Sequence, residues 1–196
     1  MEWPKPNERL FVLGDDWQHN ACISSYWGSL STYAGNYKAG AVALVHSAAE
    51  NRTTLDAVIY PIVFLYRQYI ELCLKDIIFL CRRLKQDNTG FPQHHNLSTL
   101  WDEAKQLLVA HYGSDVPAEM QNLDSCIADF ATHDPNSFAF RYPWDKKGNR
   151  TLQNLRHINL RNLYETMERV GSFLDCMTGD LGERLQACYE MERDSY

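Results

Sequence analysis

The sequence lacks the patterns that mark the common metal, redox and nucleotide sites. No pair among its six cysteines has the Cys-x-x-Cys spacing, and no Gly-rich phosphate loop, His-Glu-x-x-His or Gly-x-Ser-x-Gly motif occurs. No membrane-length run is free of polar residues either, since Arg67, Glu71 and Lys75 interrupt the longest apolar stretch, residues 59–80. The first ten residues lack a basic segment followed by an apolar core, so we expect no signal peptide. We therefore expect reduced cysteines, no metal, no cofactor, no membrane segment and a cytosolic location.

Positive charge is scarce and unevenly distributed. The chain carries 19 Lys and Arg against 25 Asp and Glu, a net charge of −6, which on average repels polyanions. Contact with a polyanion depends on local charge, however. Six basic residues share one window with a single acid, Asp145: Arg141, Lys146, Lys147, Arg150, Arg156 and Arg161. All of them except Arg150 are predicted to bind substrate.

Hydrophobic periodicity predicts an all-α fold, a bundle of five to seven helices. We expect a helical domain over residues 29–196, preceded by an irregular extension, residues 1–28, that packs on it. The strongest segment is residues 53–84, whose apolar residues cover more than one face, as in a buried central helix. Pro61 suits its first turn. Further helices are predicted over residues 29–50, 97–112 (with Ser98 as a candidate cap), 117–134, 159–178 and 181–194.

The segment FRYPWDKKGN interrupts the helical pattern. Its aromatic residues alternate, as on one side of an extended strand: Phe138, Phe140, Tyr142 and Trp144. Asp145 and Gly148 then stand at the first and fourth positions favoured in a type I turn. We therefore predict a short aromatic β-hairpin insertion with Lys146 and Lys147 at its tip and Arg141 on the opposite face.

Three ordered fragments resemble the prokaryotic HEPN superfamily. They are FLYRQYIELCLKDII, with Glu71 and Lys75 in an acid-then-lysine pattern, HHNLSTLW, which opens a helix, and FRYPW, an Arg-Tyr-Pro segment. The matched span is roughly residues 60–175. The resemblance implies a helical bundle and frequent homodimers. In many members it also implies metal-independent RNA cleavage in toxin–antitoxin or antiviral defence, with an antitoxin or other defence protein as partner.

The resemblance implies that an active protein carries an arginine followed, after four to six residues, by a histidine. Arg150 and His157 are the one such pair in the matched span, although Asn149 before the arginine and Thr151 after it depart from the commoner pattern. In this interpretation His157 takes the proton of a ribose 2′-hydroxyl, and Arg150 stabilises the charge on the phosphate. The alternative is that His157 opens a helix and Arg150 is a solvated charge.

Arg67, Glu71 and Lys75 stand four residues apart on one helix stripe. Arg67 and Lys75 either reach phosphate in a cleft or form ion pairs with Glu71, each worth about 0.2–0.5 kcal/mol. An enclosed Glu71 would have a structural role and need a cationic partner, for which Arg141 is the candidate. His95, next to His94, is interpreted as a helix-opening residue and not as a metal ligand.

Three functions are consistent with these observations. The leading hypothesis is a metal-independent endoribonuclease of a defence system. The second is a catalytically inactive HEPN-like module that binds RNA, a nucleotide or a partner protein through the same basic window. The third is a helical protein whose aromatic surface mediates assembly alone.

Overall fold

The computed structural model describes residues 2–23 and 29–194, and over these residues the regular structure is helical, with no β-strand. The prediction of an all-α bundle is therefore confirmed. Three short 3-10 segments supplement the longer helices, at Trp17–His19, Gly113–Asp115 and Ala118–Asn122. The α-helices in chain order are α1 (Leu30–Ala49), α2 (Leu55–Leu84), α3 (Leu97–Tyr112), α4 (Leu123–His133) and α5 (Leu160–Arg193).

Helix α2 is the centre of the bundle, because α1, α3 and α5 all pack against it. Its apolar residues surround it, as the sequence predicts, and Ile62, Ile70 and Ile77 are completely buried. By length and composition α2 could cross a membrane, but 56% of its most apolar stretch is buried inside the bundle, as in a core helix. Pro61 lies in the second turn of α2 and not in the first, since the helix already begins at Leu55.

Asparagine side chains fix where two of the helices begin. The Asn96 side chain accepts from the Thr99 amide at 3.0 Å, so Asn96 and not the predicted Ser98 caps α3. Asn159 caps α5 in the same way, by accepting from the Asn162 amide at 3.0 Å. An amide or carboxylate oxygen at this position satisfies an otherwise unpaired helix donor.

Helix α5 runs without a break where two helices are predicted, over residues 159–178 and 181–194. Gly179 and Gly182 lie inside the helix and do not end it. Leu174 and Leu181 are both fully buried on either side of the first glycine. Packing of this continuous apolar face therefore overrides the low helix propensity of glycine.

The described part of the N-terminal extension does not pack on the helices as predicted. Trp3, Leu10 and Phe11 are 78%, 91% and 90% exposed, and no residue from 2 to 23 is buried. The other residues of the predicted extension, 1 and 24–28, lie outside the described residues. All six cysteines are free thiols, and Cys73 and Cys81 are buried, as predicted.

The α4–α5 connection, residues 134–159, contains no aromatic β-hairpin. Its ladder is a single bridge between Trp144 and Arg150. The Phe138 carbonyl accepts from the Arg141 and Tyr142 amides at 3.0 and 3.2 Å, so the chain turns where an extended strand is predicted. The structure therefore does not show the predicted aromatic hairpin beyond this one bridge. Side-chain capping by Asp134, which accepts from the Phe138 and Ala139 amides, favours this turn instead.

The predicted turn at the tip of this segment is present. The Gly148 amide donates to the Asp145 carbonyl at 3.0 Å. The Asp145 carboxylate accepts from the Asn149 side-chain amide at 3.1 Å and from the Asn149 and Lys147 backbone amides, both at 2.8 Å, and these contacts lower the pKa of Asp145. Gly148 has a φ of 81°, which glycine adopts without strain. Lys146 and Lys147 are exposed on this turn.

Candidate functional site

The polar stripe of α2 forms a buried charge cluster, made of Arg67, Glu71, Lys75 and Asp134, and the exposed side chain of His95 contacts it. Arg67 Nη1 donates to Glu71 Oε2 at 3.0 Å, and Lys75 Nζ donates to Glu71 Oε1 at 2.9 Å. The imidazole of His95 lies on the same carboxylate, with Nδ1 2.7 Å from Oε1. Arg67 and Glu71 are 0% and 1% exposed, and Lys75 is 5% exposed. The ion-pair interpretation of this stripe is therefore the one that the structure shows.

This burial contradicts the prediction that Arg67 and Lys75 contact substrate. Arg67 also donates from Nε to the Asp134 carbonyl at 3.1 Å and from Nη2 to the His95 carbonyl at 2.8 Å, so its donors are directed inward. Burial raises the pKa of Glu71, but the hydrogen bonds with Lys75 and His95 outweigh this effect and hold the pKa below its usual value. The cluster ties α2 to the opening of α3 and to the start of the α4–α5 connection.

Arg141 is not the partner of Glu71, because Arg67, Lys75 and His95 already occupy that carboxylate. Arg141 Nε donates instead to the Ser137 carbonyl at 2.7 Å. Its guanidinium lies 5.7 Å from the ring centre of Phe64 and 5.4 Å from that of Tyr142, within the range of cation–π attraction. These contacts hold Arg141 at the surface of the connection.

A groove of about 1010 Å³ runs beside Arg141, and we call it the arginine groove. Three arginines from the basic window line it: Arg141, Arg150 and Arg156. Three half-exposed aromatic side chains also line it: Tyr60, Tyr142 and Trp144, which are 53%, 49% and 54% exposed. None of its lining residues is acidic. The groove therefore presents positive charge together with half-exposed aromatic rings.

The charges in the basic window are not neutralised by the protein. Among the described residues, no acidic side chain forms an ion pair with Lys146, Lys147, Arg150, Arg156 or Arg161. Exposed cations without a fixed partner are available to an external anion at little desolvation cost.

Three further cavities adjoin this region. A cavity of about 350 Å³, the Arg156–His157 cavity, shares Arg156 and Tyr60 with the arginine groove. Another of about 350 Å³, the two-histidine cavity, is lined by His157 and His133. Arg161 lines a separate cavity of about 930 Å³ together with Arg52.

The predicted catalytic pair is not brought together in one cavity. Arg150 lines the arginine groove, whereas His157 lines the Arg156–His157 cavity and the two-histidine cavity. Both residues are exposed and lie in the α4–α5 connection, outside any helix. Arg156, which lines both the groove and the cavity next to it, is the arginine that shares a cavity with His157.

Two residues of this region carried no signal in the sequence. Tyr60 belongs to the apolar pattern of α2, so nothing marks it as half-exposed. His133 is an isolated histidine, and only the fold brings it to the cavity of His157. No group of three or more His, Cys, Asp or Glu side chains within residues 2–23 and 29–194 has a metal-binding arrangement.

Comparison with known proteins found no match to this chain among protein-family models, curated proteins or solved structures.

Proposed function

We propose that this protein is a HEPN-like module that binds single-stranded RNA in the arginine groove. The observation that carries the proposal is the lining of the groove, which combines three arginines and three half-exposed aromatic rings with no acid. Arginine binds phosphate through paired, charge-assisted hydrogen bonds, and aromatic side chains stack on unpaired bases. Bases in a duplex are not free to stack in this way, so the lining favours a single strand.

The salt dependence of RNA binding tests this proposal. Fluorescence anisotropy of a labelled single-stranded RNA is measured between about 50 and 200 mM salt, for the wild type and for a double variant, Arg150→Ala with Arg156→Ala. For a single strand, each lost phosphate contact reduces the salt slope by about 0.7, so the double variant should bind more weakly and with a slope smaller by about 1.4.

A matched control removes two cations elsewhere. Arg9 and Lys85 are exposed, have no ion pair with a described residue and do not line the groove. The double variant Arg9→Ala with Lys85→Ala should keep the wild-type slope. Equal losses in the two double variants would show that binding follows net charge alone, and would contradict a groove-specific site.

RNA cleavage is a second candidate function, favoured by the position of His157 next to the arginine groove. A strand bound in the groove and continuing past Arg156 would reach the imidazole of His157. In the HEPN context such an enzyme would act in toxin–antitoxin or antiviral defence, as a homodimer in many cases. Labelled RNA is incubated with the protein and EDTA, and the products are examined for 2′,3′-cyclic phosphate ends.

The His157→Ala variant separates the two candidates. Loss of a general acid or base lowers the rate by about 10²- to 10⁴-fold, while RNA binding in the groove should persist. Cleavage that persists in this variant would rule out His157 as the proton-transfer residue. Binding without cleavage in the wild type leaves the protein as a binding module.

A further inference from the structure

We propose that His133 is a second proton-transfer residue, the general acid that works with His157 in metal-independent RNA cleavage. The inference rests on the cleavage candidate above. It replaces the predicted Arg150–His157 pair, whose members line different cavities, with two histidines that line the same one.

The two-histidine cavity lies between the end of α4 and the start of α5. His133 is the last residue of α4, and His157 lies three residues before α5. The cavity has a volume of about 350 Å³, within the range of roughly 300–1,000 Å³ that is usual for small-ligand pockets. His133 is half-buried and His157 is exposed, so a substrate can reach both from solvent.

The hydrogen bonding of His133 identifies the nitrogen that faces a substrate. Nδ1 lies 2.9 Å from the backbone carbonyl of Asp129, and because a carbonyl only accepts, Nδ1 carries a hydrogen. Nε2 is therefore the nitrogen left to exchange a proton with substrate. The same contact persists when the ring is protonated, and the negative end of the α4 dipole favours a cation at this position. The position suits a proton donor.

The remaining lining is compatible with this role. Asp129 and Cys126, both on α4, are the other ionisable side chains that line the cavity, and α2 and α5 contribute none. Asn159, Asn162 and Thr166 supply neutral hydrogen-bonding groups.

The reaction balances with these two residues alone. His157 takes the proton of the ribose 2′-hydroxyl, and the resulting oxygen attacks the adjacent phosphorus. The bond from phosphorus to the 5′-oxygen breaks, and His133 donates its Nε2 proton to that departing oxygen. The products are a 2′,3′-cyclic phosphate and a free 5′-hydroxyl, with one proton taken up and one released by the protein. A single chain thus supplies both an acid and a base.

A change of leaving group tests the acid role directly. Cleavage of RNA and of uridine 3′-(4-nitrophenyl phosphate) is measured in EDTA for the wild type, His133→Ala and His157→Ala. Nitrophenolate departs without protonation, so His133→Ala should lower RNA cleavage by about 10²- to 10⁴-fold and leave the nitrophenyl substrate nearly unaffected. His157→Ala should lower both. Imidazole added to His133→Ala should restore part of the RNA cleavage.

The control is His111→Asn, because His111 also lies in the last turn of a helix but lines none of the four cavities. It should leave both rates unchanged. The conservative variant His133→Gln is tested in the same way as His133→Ala. Thermal unfolding of every variant shows whether a loss of activity comes from loss of the fold.

Three results would overturn the inference. Unchanged RNA cleavage in the His133 variants would leave cleavage by His157 standing without this partner. Equal losses on both substrates would indicate a structural role. No cleavage of either substrate by the wild type would remove both the cleavage candidate and this inference, while the anisotropy measurement judges RNA binding independently.

Discussion

The buried charge cluster and the arginine groove both contain arginine, but in opposite surroundings. Arg67 is completely buried and donates to a carboxylate and two backbone carbonyls. Arg150 is exposed and has no acidic partner among the described residues. The charges of the cluster are paired with one another inside the protein, whereas those of the groove are exposed to solvent and available to an external anion. The comparison indicates that an arginine is available to an external anion only where the fold leaves its donors unsatisfied.

The two regions also differ in what a mutation should change. Removing one member of a buried, paired set leaves an uncompensated charge in a poorly solvated site, which costs stability. Removing an exposed cation costs the fold little and should appear in binding instead. Each of the following predictions can confirm or contradict that division.

Glu71→Gln should have the largest effect on stability. The substitution leaves Arg67 and Lys75 buried without their shared carboxylate, and we expect a loss of about 3–5 kcal/mol in the free energy of unfolding. Urea unfolding measures it. Glu50→Gln is the control, since the pair between Glu50 and Arg52 is exposed and should contribute about 0–1 kcal/mol. A loss near 1 kcal/mol for Glu71→Gln would contradict the structural role of the cluster.

Asp76→Asn should stabilise the protein above neutral pH. Asp76 is 6% exposed, has no hydrogen-bond or ion-pair partner among the described residues, and burial raises its pKa to about 6. Because the pKa is raised, the stability that Asp76 contributes is present below pH 3.8, the usual pKa of an aspartate, and is lost as the pH rises through about 6. The variant should therefore gain about 2–3 kcal/mol over the wild type at alkaline pH and little in acid.

Urea unfolding of the Asp76 variant at acid and alkaline pH gives this difference. The comparison with Glu71 is direct, because both are buried carboxylates on α2 and only one is paired. If the difference in unfolding free energy between the variant and the wild type does not grow with pH, burial does not raise the pKa of Asp76.

Trp144→Ala should have the smallest effect on the fold and act on binding. Its ring is 54% exposed and lines the arginine groove, so RNA affinity should fall by about 1–3 kcal/mol through lost base stacking. Anisotropy measures the affinity, and thermal unfolding should change little. Trp17→Ala, which removes a tryptophan that is 66% exposed in the extension, is the control. Similar losses for the two tryptophans would place the RNA outside the groove.

Much of the helical architecture could be predicted because it depends on local pattern. Residues 97–112 form α3 with the predicted bounds, and the apolar surround of α2 correctly indicates a central helix. The turn that follows α4 could not be predicted. The alternation of aromatic residues from Phe138 to Trp144 matches a strand, whereas capping by the Asp134 side chain stabilises a turn. The sequence predicts that a helix ends near Gly179, but α5 continues through this residue. The packing that stabilises it there involves other helices, which the local sequence does not show.

The candidate site was predictable in part. The cluster of Arg141, Arg150 and Arg156 within a short window was visible in the sequence, and these residues line one groove. The burial of Arg67 was not visible, because its partners Asp134 and His95 are distant along the chain. His133 likewise required the fold, since the α4–α5 connection returns His157 to the end of α4.

Hydrophobic periodicity, which acts between neighbours three and four residues apart, was enough to specify an all-α chain with one dominant buried helix. The positions of Lys and Arg along the sequence were enough to identify the basic window. Tertiary packing decided which cations are enclosed and which face solvent. That choice depends on carboxylates, carbonyls and rings contributed by other helices, and their distances from a given arginine are set only when the helices pack around α2.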